Sequence, residues 1–299
     1  MEPPLYLGTT PYPTDPEKER YVLAASGGKD STAVYCWAVE TLGQNGFEAV
    51  FMDTDHEHPV TVNYVRNLHA MAGGPEVQFI RADFSERLAK KGVEPSGNAF
   101  QDMLIVNGRA PAQMTRFCTR QLKMEPMAKW LMATTPDHLK PVVITGIRAG
   151  ESVRRSGLGE RSWDGFWGCQ LWRPGFNWSE EQVWNILEKK GVPPNPLYAL
   201  GWSRVGCFPC IMARKSDLAL LPEWAWERLE YWETEILMKA KEGEQRTFFQ
   251  ANILPGEGLK TVQMVREWAR TSRGGRQFDL FWEEPEDAPS CLASWGTCE

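Results

Sequence analysis

The amino-acid sequence predicts an α/β protein in which a parallel β-sheet carries helices on both faces and is followed by a smaller, mostly helical and loop-rich C-terminal part. Three observations predict it. Apolar runs that read as buried strands alternate with segments of helical periodicity from residue 20 onward, and that order requires parallel pairing with helical crossovers. Polar residues gather where the strands end, which is where parallel sheets hold ligands. Towards the C-terminus two helical stretches, about 222–241 and 258–271, precede a tail.

The elements follow in order. Residues 20–25 read as a buried strand and Thr32 to Leu42 as a helix with an apolar residue every three to four positions. "FEAVFMDTDHE" is a second strand ending in polar residues, followed by a helix from about Val60 to Met71, a short strand "EVQFI" and a helical stretch from Phe84 onward. Residues 92–112 read as a loop, and a Met- and Leu-rich helix runs from about Lys123 to Met132. "KPVVITGIRAGE" is a further strand, and residues 156–175 read as loop. Ser179 and Gln182 form a capping box for "EEQVWNILEKKG", and Gly191 suits its end. "VPPNPLYALGWSRVGCFPC" is too rich in proline and glycine for regular structure.

Bulk properties narrow the function. The 299 residues carry a net charge of -6, which excludes a broadly basic surface that coats nucleic acid. No apolar run is long enough to cross a bilayer, and the N-terminus does not have the pattern of a signal peptide, so a cytoplasmic protein without membrane contact is expected. Seven cysteines without an export signal read as reduced thiols or metal ligands rather than disulfides.

"SGGKDS" follows the first strand and opens the first helix. Consecutive backbone N–H groups and the positive end of a helix dipole suit a phosphate there. Gly27 and Gly28 are expected to permit positive φ and close approach, Ser26 and Ser31 supply hydroxyls, Lys29 supplies charge, and Asp30 follows. The usual triphosphate loop does not fit, since Leu23 stands at its first glycine and Asp30 parts the lysine from the serine.

Other strand ends carry chemistry too. "MDTDHE" offers Asp53, Thr54 and Glu57, while His56 and His58 read as exposed loop histidines, with metal ligation as the alternative. "TGIRAGESVRR" offers Gly146, Arg148, Glu151 and Arg154. Cys207 and Cys210 form C-F-P-C, Cys118 lies in "RFCTRQLKMEP" and Cys169 in "GCQLWRP". Such thiols suit a cluster or zinc, and inert buried thiols stay open as an alternative. Fourteen tryptophans read as core filling around the cysteine loop, with stacking on nucleic acid as the alternative. Cys298 reads as an incidental terminal thiol.

"SGGKDS", "DTDHE", "RFCTRQLK", "GIRAGES", "RPGFNWSEEQVW", "NPLY" and "SRVGCFPC" stand in the order expected of the phosphoadenylyl-sulfate (PAPS) reductase family, which the chain resembles over roughly residues 20–215. The resemblance implies an adenine nucleotide alpha-hydrolase-like, Rossmann-like fold with a pyrophosphate-binding (PP) loop. It implies a nucleotide-binding unit with a cysteine-rich loop over 20–215; the prolines before it read as an extended lead-in over 1–19, and the helical stretches after it as a helical extension and tail over 216–299. Ser26, Gly27, Gly28, Lys29, Asp30, Ser31, Asp53, Thr54, Gly146 and Arg148 would then bind nucleotide. Lys29, Asp30 and Arg148 would be catalytic, and Glu57, Glu151 and Arg154 would meet substrate. Cys118, Cys169, Cys207 and Cys210 would hold a 4Fe–4S cluster, although Thr119 replaces one cysteine of the family's usual pair and the fourth ligand is left open between Cys169, a substrate sulfur or none. Members with an intact loop act as ATP pyrophosphatases: they split ATP, with Mg²⁺, and act as sulfurtransferases, whereas others are oxidoreductases that reduce adenylyl-sulfate or PAPS. The intact loop and the missing E-C-G-L-H tail favour ATP cleavage coupled to sulfur transfer. Expected partners are a small-molecule nucleotide, a sulfur donor protein of the cysteine desulfurase-like or thioredoxin-like kind, and a DNA or tRNA acceptor. A true reductase and a non-catalytic nucleotide-binding module are the alternatives.

Overall fold

The computed structural model describes residues 15, 17–239, 246–249, 253 and 258–271. Most of the lead-in, parts of the C-terminal helical stretches and the tail with Cys291 and Cys298 lie outside the described residues.

Strands β1 (Glu19–Ala25), β2 (Glu48–Asp53), β3 (Val77–Arg81), β4 (Lys140–Thr145), β5 (Arg161–Asp164) and β6 (Cys169–Trp172) form one sheet in the order β3-β2-β1-β4-β6-β5. All pairs are parallel except β5 with β6. The β5–β6 hairpin lies within residues 156–175, which the sequence presented as loop: its strands are four residues each and gain their order from pairing β6 onto β4. Successive side chains of a strand point to opposite faces, so Tyr21, Leu23 and Ala25 join one core while Val22 joins another. Both faces are covered, which is why these strands read as continuous apolar runs.

Helices α1 (Lys29–Leu42), α2 (Pro59–Ala72), α3 (Ser85–Ala89) and α4 (Ala99–Asn107) follow β1 to β3. The fourth stands within 92–112, where the sequence predicts a loop; Asn98 caps it by accepting from the Gln101 N–H. Helix α5 (Phe117–Thr119) continues through a π-helical turn (Arg120–Met124) into α6 (Glu125–Thr134). In that turn the Glu125 N–H bonds to the Arg120 carbonyl. After β4 come α7 (Val153–Ser156), α8 (Glu180–Lys189), α9 (Lys215–Ala219), α10 (Glu223–Tyr231) and α11 (Val262–Ala269). The Ser179–Gln182 capping box is present, and Gly191 has φ 63° past the end of α8.

One core joins α1, α2 and α8 to the sheet, with Trp37 and Trp172 meeting edge to face at 4.9 Å. A second packs α6 on the opposite face. A third gathers α3, α4, Phe208 of the cysteine loop and the helices α9 to α11. The chain runs outward from β1 to β3 and returns to β4 on the other side of β1, so the elements that follow β1 and β4 part over a crevice.

Candidate active site

The turn from β1 into α1 is built by its own hydroxyls and by a clamp from a distant loop. Ser31 Oγ accepts from the Ser26 N–H (3.2 Å) and hydroxyl (2.9 Å) and donates to the Gly28 carbonyl (3.1 Å). Thr32 donates to the same carbonyl at 2.9 Å. Of the two glycines only Gly27 needs to be one: its φ is 76°, and a Cβ there would lie 2.8 Å from Val65 Cγ2 and 3.0 Å from Thr61 Cγ2. Gly28 has φ -81°, against the expectation of positive φ at both, and stands as the N-cap of α1. From the N-P-L-Y segment, Asn195 Nδ2 donates to the Gly27 carbonyl (3.2 Å), and the Tyr198 hydroxyl accepts from the Lys29 N–H (3.0 Å). Burial raises the Tyr198 phenol above its usual range, which keeps the hydroxyl neutral.

Gly146, at the end of β4, serves packing as much as ligand approach: a Cβ there would fall 2.6 Å from the Ser31 backbone. It therefore lets β4 lie against the start of α1. Arg148, only 6% exposed, ion-pairs through Nε with Asp30 Oδ1. Lys29 Nζ lies 3.5 Å from Asp30 Oδ2 and 3.5 Å from Glu180 Oε1. Glu151 accepts from the Arg148 N–H at 2.8 Å and pairs with Arg155. These groups border an open cleft of about 640 Å³ that Arg204 and Arg214 also line. Five cationic side chains thus face Asp30, Glu151 and Glu180, an excess suited to an anionic ligand. The inner arginine of the R-R pair is Arg155, not Arg154, which is exposed and does not line the cleft.

A second cavity of about 140 Å³ adjoins this cleft. Its walls include Glu57, Lys123, Thr145, Cys207 and Cys210 besides Ser26, Ser31, Gly146, Arg204 and Val205, which the two share. Cys207 and Cys210 line it, and Cys118, outside its walls, lies near enough to feel the charge of both. Burial pushes the Cys118 thiol up to about 12, and the neighbouring Cys207 and Cys210 charges add to this. Burial pushes Cys207 up to about 11, opposed by Lys123 and aided by Glu57 and Cys210. Burial pulls the Lys123 ammonium down, but Cys207, Glu57, Cys210 and Cys118 outweigh it and hold it above its ordinary value.

Cys169 does not join them. It is 1% exposed in β6, inside the core under α6, and burial followed by Asp164 pushes it up to about 12. Three soft thiols around one cation suit an iron–sulfur cluster with three protein ligands, although no three metal-ligating side chains converge on a point among the described residues. The donor chemistry fits such a group, with Cys169 removed from the set.

Asp53 and Thr54, expected to bind nucleotide, do not line the 640 Å³ cleft. Asp53 is 3% exposed and accepts from Arg81 at 3.0 and 3.2 Å, outside the 640 Å³ cleft. The Thr54 hydroxyl donates to Glu57 (2.8 Å), and the Thr54 N–H meets the same carboxylate at 3.1 Å. Glu57 pairs by an isolated β-bridge with Cys207, so it belongs to the thiol wall. Burial raises its carboxyl above the ordinary range. His56, expected on an exposed loop, is 1% exposed and stacks on Phe100 at 4.0 Å; His58 is half-buried. Sequence reasoning assigned no individual role to Asn195, Tyr198, Lys123, Arg155, Arg204 or Arg214. Their signal was present only as neighbours of recognised segments.

A family model for the phosphoadenosine phosphosulfate reductase domain matches residues 20–213. A protein of Escherichia phage 186, described as an uncharacterized 37.8 kDa protein in the gpa 5′ region, is 32% identical over 93% of this chain and 96% of its own length. An adenosine 5′-phosphosulfate reductase of Neisseria meningitidis serogroup A is 27% identical over 72% of this chain and 85% of its own. Among solved structures, phosphoadenylyl-sulfate (PAPS) reductase from Candida auris aligns with 20% identity and TM-score 0.47 over 67% of this chain and 84% of that one.

Proposed function

The chain belongs to the phosphoadenosine phosphosulfate reductase family, and from that premise we propose that it cleaves ATP between the α and β phosphates and couples the adenylate to sulfur transfer. One observation carries this reading: the phosphate loop and the thiol cavity are two parts of one opening, with Ser26, Ser31, Gly146, Arg204 and Val205 in the walls of both. A nucleotide anchored on the loop then has thiols beside its reacting end.

In this reading the β and γ phosphates rest on residues 26–31. Asp30 is the carboxylate that would meet a Mg²⁺ ion bound to those phosphates, which would neutralise part of their charge. Lys29 and Arg148 stabilise the charge that builds as an acceptor oxygen bonds to the α-phosphorus. The bond from that phosphorus to the bridging oxygen breaks, and its electron pair leaves with pyrophosphate. Asp30 holds Arg148 in place for this step. Glu151 and Arg155 border the acceptor side, and the bridge between Glu57 and Cys207 holds the thiol wall. Cys118, Cys207 and Cys210 would hold a 4Fe–4S cluster, which would supply a place for sulfur beside the nucleotide. Hydrosulfide, set free when a thioredoxin-like dithiol reduces the persulfide of a cysteine desulfurase-like donor and becomes a disulfide, would then bond to the acceptor as the acceptor–oxygen bond breaks and AMP leaves with that oxygen; the acceptor is a nucleic acid such as DNA or tRNA in the fullest form of the proposal.

A second reading, reduction of adenylyl-sulfate or PAPS to sulfite, is favoured by the name of the Neisseria relative. Pyrophosphate release from ATP, compared with thioredoxin-dependent sulfite release from adenylyl-sulfates on the same anaerobic preparation, separates the two. Pyrophosphate without sulfite, abolished by Lys29→Met, is expected. Sulfite without pyrophosphate would refute the proposal.

A further inference from the structure

The C-F-P-C loop has no regular secondary structure to fix it, yet three hydrogen bonds hold its two central residues. The Phe208 N–H donates to the His56 carbonyl at 2.6 Å, His56 Nε2 lies 2.9 Å from the Pro209 carbonyl, and Arg228 donates to the Phe208 carbonyl at 2.6 Å. A carbonyl can only accept, so Nε2 carries the proton of the imidazole. The ring plane is set by Phe100 at 4.0 Å and Trp232 at 5.2 Å. Arg228 reaches in from α10 with its guanidinium over the Trp224 and Trp232 rings, 5.1 Å from each centroid.

Both side chains do this at a cost. His56 Nδ1 and Arg228 Nε are buried without a hydrogen-bond partner among the described residues. Buried polar atoms are nearly always satisfied, and leaving one unmade is destabilising. A core that needed only bulk at residue 56 would be better served by an apolar side chain. The polar ring is therefore retained for its bond to the Pro209 carbonyl.

We infer that His56 and Arg228 are positioning residues that fix the C-F-P-C loop so that Cys207 and Cys210 present a ready thiol pair to the cavity beside the phosphate loop. The segment after β2 thus acts on the thiols rather than on the nucleotide. The service of that pair to sulfur chemistry rests on the function proposed above, but the positioning itself does not.

The test uses the full chain in a Cys291→Ser/Cys298→Ser background, reduced and freed of metal, titrated with phenylarsine oxide. This arsenical forms two As–S bonds with a thiol pair held close and releases water. Peptide masses should map one arsenical per chain to Cys207 and Cys210. His56→Leu and Arg228→Met should each weaken it about tenfold, the scale of one hydrogen bond with its buried acceptor left unpaired. His56→Gln, whose amide N–H can replace Nε2–H, should restore it to within about twofold of the parent. Unchanged affinity in His56→Leu, or loss in His56→Gln equal to that in His56→Leu, overturns the inference. Should His56→Leu fail to fold, Arg228→Met decides, and unchanged affinity there overturns it too. Pyrophosphate release from ATP, followed in parallel on a separate anaerobically reconstituted sample of the same chain with Mg²⁺ added, reports on the phosphate loop. Its absence in the parent chain would sink the proposed function while leaving the arsenical result to stand or fall alone.

Discussion

Replacing Gly27 by alanine should destabilise the protein far more than replacing Gly28, although the two are adjacent in one loop. At Gly27 the backbone has φ 76°, and an L-residue held there costs about 1–2 kcal/mol. The new Cβ would also press on Val65 and Thr61 of α2 at 2.8 and 3.0 Å, both fully buried, and such overpacking costs about 1–3 kcal/mol. The flexible methyl ends give way in part, so a total of about 2–4 kcal/mol is expected. At Gly28 φ is -81°, and the nearest atoms to a new Cβ, Ser26 Oγ and the Tyr198 hydroxyl, lie 3.6 Å away. The remaining cost is the weaker N-cap preference of alanine, about 0.5–1 kcal/mol. Urea unfolding of the two variants and the parent at constant m-value gives the comparison directly. Retained stability in Gly28→Ala also makes it the clean probe of ligand approach, since any loss of ATP binding then comes from the methyl group facing the cleft. Equal destabilisation by both substitutions would refute the reasoning, because it would mean the two backbones are not distinguished as described.

Arg148→Met leaves the Asp30 carboxylate, 15% exposed, with Lys29 alone, and should cost about 2–4 kcal/mol; adding Asp30→Asn should recover part of that in a double-mutant cycle. Cys118→Ser, Cys207→Ser and Cys210→Ser should each lower iron bound per chain after anaerobic reconstitution, while Cys169→Ala leaves it unchanged and costs only packing in the core under α6. Burial, then the Arg228 charge, holds the His56 imidazole well below its ordinary 6.5. The folded state therefore binds fewer protons than the unfolded one, so this contribution is present above pH 6.5 and is lost as pH falls towards the folded value, at up to about 1.4 kcal/mol per pH unit. Thermal melts should show the parent losing stability over that range more steeply than His56→Gln. Tyr198→Phe removes the acceptor from the Lys29 N–H and should cost about 1 kcal/mol by urea unfolding, with no change in the sheet's far-ultraviolet signature.

The β1–loop–α1 unit was legible because its determinants are local. An apolar run, two glycines and a helix period lie within about twenty residues, and each agrees with the next. Helix α8 was legible for the same reason, through Ser179, Gln182 and Gly191. The β5–β6 hairpin was not, because its order comes from β4, a partner some thirty residues upstream that a local pattern does not see. Arg155 was passed over for Arg154 because neighbouring residues on a short helix point in different directions and sequence spacing cannot tell which faces inward. Cys169 joined the expected ligand set on residue type alone; its place on β6 puts its thiol in the core under α6. His56 read as exposed because four polar residues surround it, while the aromatic rings that enclose it come from α4 and the C-terminal helical region.

The three strand ends divide the work according to where the sheet splits. Chain direction parts at β1 and β4, so the segments that follow them, 26–31 and 146–151, stand on the two sides of an open crevice and can wrap a ligand between them. Between β1 and β2 the opening is the smaller thiol cavity, walled by Ala24, Ala25, Phe51, Met52 and Glu57, and the segment after β2 is tied inward: Asp53 to Arg81, Thr54 to Glu57, and Glu57 to Cys207. A polar strand end that is internally paired has little left to offer a ligand, but it makes a stiff support. The cysteine loop leans on that support from one side and on Arg228 from the other. The thiols therefore stand at the edge of the cationic cleft because the sheet topology sets the ends of β1 and β4 on its two sides and the end of β2 beside the cavity that adjoins it.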